Sequence, residues 1–243
     1  MKTRSKALLL TLCAVLLVTA SVLGTLAFLT STDEVKNTFT VGSVNITLDE
    51  AKVKTDGTPV EGAARVKANE YHLLPGHTYT KDPTVTVKDG SESAYVRLKV
   101  TFNNAADIIA MCTDPEYADD GPTGVENAYP LIRMVKFVEA NAAKWDGIIP
   151  DNMVDTEEML DNSKYFQKIG DTLTYYFYYK TPVAAPDGDV KLETLFDAVT
   201  VPGWVKGDQL AKLNDFKITV VAEAIQADGF TNADAAWAAF DAQ

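Results

Sequence analysis

Residues 95–102 read Tyr-Val-Arg-Leu-Lys-Val-Thr-Phe, an unbroken alternation of apolar and polar side chains. A strand turns successive side chains to opposite faces. Val96, Leu98, Val100 and Phe102 therefore share one face, and Tyr95, Arg97, Lys99 and Thr101 the other. The spacing predicts a strand with one face on a core and one in water, as antiparallel sheets allow. Residues 216–225 repeat the pattern, with Phe216, Ile218, Val220, Ala222 and Ala224 on one side. Residues 172–180 set Leu173, Tyr175, Phe177 and Tyr179 against Thr174, Tyr176, Tyr178 and Lys180. Residues 37–48 alternate through Phe39 and Val41, then change phase at Gly42-Ser43 before Val44, Ile46 and Leu48, the mark of a bulge or kink. Shorter strand candidates lie at 84–88, 131–138 and 194–201.

Turn residues divide these runs at 75–77, 88–91, 185–189 and 201–204. Helical signals are short. Residues 155–166 open on Asp155 or Thr156 as N-cap with acidic residues behind it, 207–215 offer two turns, and 232–243 are alanine-rich. The acidic stretch 103–128 reads as a long loop with a short helix near 104–112. The fold expected is mainly β: an antiparallel jelly-roll-like β-sandwich over residues 37–243, with short helical insertions and a C-terminal helix, preceded by an N-terminal signal helix.

The first 27 residues have the three parts of a secretory signal. Lys2, Arg4 and Lys6 precede an apolar run, and small residues at Thr25 and Ala27 define a cut between Ala27 and Phe28. The uncharged stretch from Ala7 to Leu29 also has the length of an uncleaved anchor, which takes about 20 residues. Cleavage takes away three of the 22 basic residues and none of the 34 acidic ones, so the charge of −12 becomes −15. Such a surface repels a phosphate backbone, and nucleic acid is not expected as a partner. Contact with a membrane is expected only through the leader. Cys13 leaves with it, and Cys112, alone, has no internal disulfide partner; an exported chain of this kind suits a bacterial exterior. Cys112 reads as a small buried side chain.

Few residues offer chemistry. The two histidines, His72 and His77, flank Pro75-Gly76, which breaks the helix an HExxH zinc motif needs. They are also the only bases for a serine or cysteine triad, and no G-x-S-x-G elbow accompanies them. No catalytic, metal or cofactor-binding residue is assigned, and an enzyme is not expected. Calcium is the one cofactor left open, through the acidic loops 114–121 and 187–193, although neither has the register of an EF-hand. The tyrosines of 172–180 offer either core and cross-strand contacts or a surface for a glycan or peptide.

Three stretches carry a family likeness. Residues 24–50 combine the leader with Phe39, Gly42 and Val44 in an F-x-x-G-x-[LV] strand. Residues 73–100 hold an L-x-P-G-D-x-x-x-K-like turn, with His77 in the aspartate's place, followed by two strands. Residues 216–230 close with Ala224-Ile225-Gln226, an A-x-Q ending. In this order they resemble the TasA and camelysin-like secreted proteins of Gram-positive bacteria; the likeness covers both ends of the chain and fades over 103–215. It implies a leader removed by a dedicated SipW-type signal peptidase, and location on the cell surface or in the biofilm matrix. It also implies self-association into fibres, or with a related secreted subunit, through a donor strand freed by cleavage. Residues 28–36 are the candidate donor, with Phe28, Leu29 and Val35 available for burial at roughly 1.5–3 kcal/mol each. A monomeric glycan- or peptide-binding module, tethered or free, is the alternative.

Overall fold

A computed structural model describes residues 6, 10–17, 42–113, 133–147, 164–213 and 215–243. Two compact units divide the chain at Val41–Gly42. In the first, residues 10–17 are helical. The second contains every strand described below.

It is mainly β, built of antiparallel sheets with a curled half-barrel. At its centre stand β4 (Ser91–Asn103) and β8 (Thr172–Tyr179), paired from Asn103↔Thr172 to Arg97↔Tyr178. On the far side of β4 runs β12 (Ile218–Gln226), in register from Ile218↔Phe102 to Gln226↔Ala94. β8 is flanked in turn by β6 (Trp145–Asp146) and β7 (Phe166–Ile169), and β9 (Val183–Ala185) pairs the start of β4. Two three-stranded sheets complete the body. One orders β1 (Ile46–Asp49), β3 (Thr84–Val87) and β10 (Val190–Lys191); the other orders β2 (Thr78–Thr80), β11 (Phe196–Thr200) and β5 (Val135–Phe137).

The alternation in the sequence drives this arrangement. Val96, Leu98, Val100 and Phe102 of β4 and Leu173, Tyr175 and Phe177 of β8 are at most 3% exposed and meet Val85, Val87, Phe196 and Val199. The helix α1 (Ala105–Cys112) adds Ile108, Met111 and Cys112. Its first amides are met from outside: Ala105 N–H donates to the carbonyl of Asp171 at 3.1 Å. Asp171 sits in the two-residue turn between β7 and β8, where Gly170 takes φ 57° as such hairpins require. Cys112 is buried as expected, and burial pushes its thiol pKa up to about 12. Gly57, at φ 81°, has to be glycine on steric grounds as well, since a Cβ there would lie 2.7 Å from Tyr79 Cα.

Of the stretch with the expected phase change, residues 37–41 lie outside the described residues and Gly42-Ser43 open the described part. Ser43 bridges Ser91 of β4 in parallel, and three residues later Ile46 begins an antiparallel pairing with β3. Two short helices follow later in the chain, α2 (Gly207–Leu210) and α3 (Ala233–Asp241), the latter capped by Asn232 Oδ1 accepting from Ala235 N–H at 2.9 Å.

Two expectations are corrected. The helix over 155–166 lies outside the described residues up to 163, and its last member, Phe166, is the first residue of β7, where it packs on the Tyr175 ring at 5.0 Å. The second face of β4 is not wet throughout. Arg97 is 2% exposed, covered by α3.

Candidate functional site

Ala27, Phe28, Leu29 and Val35, the residues expected to form the cleavage site and the assembly tail, lie outside the described residues. The body they lead into is described from Gly42 on. Glu92 N–H donates to the Ser43 carbonyl at 3.0 Å, and Asn45 N–H to Ser91 Oγ at 3.1 Å. Gly42 packs so tightly on Glu92 that a Cβ would come within 2.8 Å of its Cγ. The chain entering the fold is thus fixed to the head of β4, on the second turn-and-strand motif that the sequence singled out.

Beside that point runs β12. Asn103 N–H donates to the Lys217 carbonyl and Ala227 N–H to the Ser93 carbonyl, so odd-numbered residues of this strand bond β4. The even-numbered ones, Ile218 to Gln226, turn their N–H and C=O groups to the outer edge. Among the described residues β12 has no second partner strand. Its core-facing side chains, Ile218, Val220, Ala222 and Ala224, stay half-buried, and so do Ile46 and Leu48 of the nearby β1. Val221, on the other face, is 40% exposed. Among the described residues the result is a long edge strand above a partly covered apolar seam, the kind of surface that pairs with further chain.

A second site lies on the opposite face of β4 and β8. Arg97 Nε donates to Glu223 Oε2 at 2.6 Å, and its two terminal nitrogens donate to Asp241 at 2.9 and 2.5 Å. Its guanidinium stacks over Trp237 at 4.4 Å, Phe240 at 5.1 Å and Tyr176 at 5.3 Å. Burial alone would weaken its hold on the proton, but the hydrogen bonds to Asp241 and Glu223 outweigh that and raise its pKa above the ordinary arginine value. The same arginine holds the Asp241 carboxyl below the usual carboxylate range. Next to this cage opens a cleft of about 570 Å³ whose polar wall is Lys164, Gln167 and Asp234, with Tyr176 and Trp237 behind. Lys164 Nζ lies 3.0 Å from Asp234. Nothing in the alternation of 95–102 announces a buried arginine. The available signal was Trp237, Phe240 and Asp241 gathered at the end of an alanine-rich helix, able to face a cation and tyrosines.

The remaining candidates are brought to ordinary structural places. His77 Nε2 lies 2.7 Å from the Asp56 carbonyl with its ring against Tyr79, while the exposed His72 offers its carbonyl to Tyr79 Oη at 2.6 Å. Of the two acidic loops, 114–121 lies wholly outside the described residues. In 187–193, Asp189 accepts from Lys88 and from Asp89 N–H, and Glu193 from Tyr179 Oη. Those bonds hold both carboxyls below their usual range. Among the described residues no three His, Cys, Asp or Glu side chains gather as a metal site, and no helix is long and apolar enough to cross a membrane. Of the 172–180 tyrosines, Tyr175 and Tyr179 face the core, and Tyr176 and Tyr178 face the arginine cage. Comparison with protein-family models, with curated proteins and with solved structures finds no match.

Proposed function

We propose that this chain is a secreted, non-enzymatic structural protein of a Gram-positive cell surface or biofilm matrix, a TasA- and camelysin-like subunit. A dedicated signal peptidase cuts between Ala27 and Phe28, and the freed segment 28–36 adds as a strand to a neighbouring copy or a related secreted subunit. The finer reading of the fold goes with it: a jelly-roll-like sandwich whose edge is completed by another chain.

The observation that carries this reading is the contrast within one sheet. The core face of β4 is closed, whereas that of β12 is half-open beside a row of outward backbone groups. An extended segment laid there gains main-chain hydrogen bonds, and the seam offers Phe28, Leu29 and Val35 an apolar floor. A head-to-tail contact of this kind does not close on itself and so propagates as a filament. The charge of −15 per cleaved subunit opposes stacking, so assembly is favoured by salt.

The edge itself provides the test. Ala222 turns its N–H outward, so Ala222→Pro removes a donor without breaking the β4 ladder. In sedimentation assays the cleaved wild-type chain pellets as polymer and the Ala222→Pro chain stays in the supernatant with its circular dichroism unchanged. Equal pelleting of both would place assembly elsewhere.

One observation favours the alternative of a monomeric binding module: the cleft beside Tyr176 and Trp237, with Lys164, Gln167 and Asp234 on its wall, has the mix of rings and hydrogen-bonding groups that a glycan or peptide uses. Binding on a glycan array by wild type, lost in Tyr176→Ala, supports that reading; an array with no signal removes it.

A further inference from the structure

Just past the end of β1, the buried Glu50 holds two different side chains on one carboxylate. Its Oε2 accepts from Lys81 Nζ at 2.7 Å, and its Oε1 accepts from Asn69 Nδ2 at 2.9 Å. The lysine side chain is 11% exposed and the glutamate 7%, and the half-buried Asn69 brings its amide to them. The amide is held from its other end too. Asn69 Oδ1 accepts from the N–H of buried Val53 at 3.0 Å, and Nδ2 also donates to the Ala51 carbonyl at 2.8 Å. The Tyr71 ring closes a further side, 5.9 Å from Nζ.

An ion pair alone would not need the asparagine, and an asparagine that only tied a loop would not need a lysine across the same carboxylate. Together they provide what an amine requires to displace ammonia from a carboxamide: a proton acceptor on the nucleophile, a donor aimed at the carbonyl oxygen, and a route for a proton to the leaving nitrogen. We propose that Lys81 and Asn69 become joined by an intramolecular isopeptide bond, formed within the folded chain with Glu50 as the proton carrier.

The step balances without oxidant or cofactor. Glu50 Oε2 takes a proton from the Lys81 ammonium, which removes two buried charges at once and frees the lone pair on Nζ. Nζ adds to Asn69 Cγ, and the negative charge that develops on Oδ1 is met by Val53 N–H. A second proton passes from Nζ, by way of the carboxyl, to Nδ2. The Cγ–Nδ2 bond breaks, the nitrogen departs as ammonium with the last of these protons, and Glu50 is left as carboxylate. Holding both reactants on one carboxylate replaces a chance encounter by a fixed one.

The location gives the bond a use. Between β1 and β3 the chain makes an excursion over 50–83 whose regular structure is the short β2 and the isolated bridges Glu50↔Val66 and Val53↔Pro59. A covalent link from residue 69 to residue 81 closes a loop across that excursion and restricts its unfolded state, as any cross-link does.

The test is a peptide map of the purified protein by mass spectrometry. The fragments carrying Asn69 and Lys81 are expected to be recovered joined, lighter than their sum by one ammonia, with Lys81 refractory to trypsin. Their recovery as separate, unmodified fragments from folded protein overturns the proposal. Lys81→Arg keeps a cation on Glu50 and removes the nucleophile, so its fragments are expected apart. Glu50→Gln, checked for folding by circular dichroism, is expected to leave the fragments apart as well, and a joined pair in it overturns the role of Glu50. Should that variant not fold, Glu50→Asp provides a time course in which joining is slowed at least several-fold; an unchanged rate overturns the same role.

Discussion

On β4 the four core-facing side chains, Val96 to Phe102, are at most 1% exposed; on its neighbour β12 their counterparts Ile218, Val220, Ala222 and Ala224 all keep contact with water. Both strands alternate apolar and polar residues, and they pair residue for residue along nine positions. What separates them is neighbourhood. β4 has β12 on one side and β8 on the other, and its apolar face meets β3 and β11 residues. β12 has β4 alone among the described residues. Among the described residues the centre of the sheet is therefore paired on both sides and the β12 edge on one.

Substitutions at the centre of the sheet cost most. Leu98→Ala removes a fully buried side chain and is expected to cost about 2–5 kcal/mol in a urea melt. A loss below 1 kcal/mol would mean that the β4 face is less closed than described. Next in size is Arg97→Leu, which leaves Glu223 only the longer contact with Lys99 Nζ at 3.5 Å and leaves α3 without its tie. Because Asp241 is half exposed, the loss is set at about 2–3 kcal/mol, below the full value for a buried pair. Hydrogen exchange should show α3 opening before the strands.

The same tie has a pH signature. The folded Asp241 carboxyl is held below its usual value by Arg97, so its contribution is complete above the ordinary carboxylate range and is lost as pH falls through the lowered folded value. Acid titration followed by Trp237 fluorescence should show α3 releasing on the acid side in wild type, and no such step in Asp241→Asn. A release on raising the pH from neutral to 9 would contradict the assignment.

At the edge the effects on stability shrink while those on assembly grow. Val220→Ala, at a half-buried position, is expected to cost about 1 kcal/mol, well under the same deletion at Val100. Val221→Lys, on the exposed face, should change stability by less than about 0.5 kcal/mol. A lysine in mid-edge nonetheless obstructs strand addition, so loss of polymer with an unchanged melt is the expected pair of results.

Much of this was legible in the residues. The period of two at 95–102, 172–180 and 216–225 reflects burial of one strand face, a constraint written locally, and it located β4, β8 and β12. Arg97 was not legible. Its burial depends on a helix 140 positions further along the chain, whose tryptophan and aspartate find it only after folding. At Phe166 the local pattern, an aromatic at the end of an acidic, capped stretch, fits a helix, whereas pairing with Tyr175 across the Gly170 turn makes it a strand residue. The Glu50–Lys81–Asn69 group has no periodic signal, since it joins three separate points of the chain outside the named strands.

In the proposed assembly the segment after the leader completes the β12 edge of another copy. Negative-stain electron microscopy of protein beginning at Phe28, beside protein beginning at Lys36, tests it most directly. Fibres from the first and dispersed single particles from the second, over the same range of salt and pH, are the predicted result. Fibres from both, or single particles from both, would contradict it.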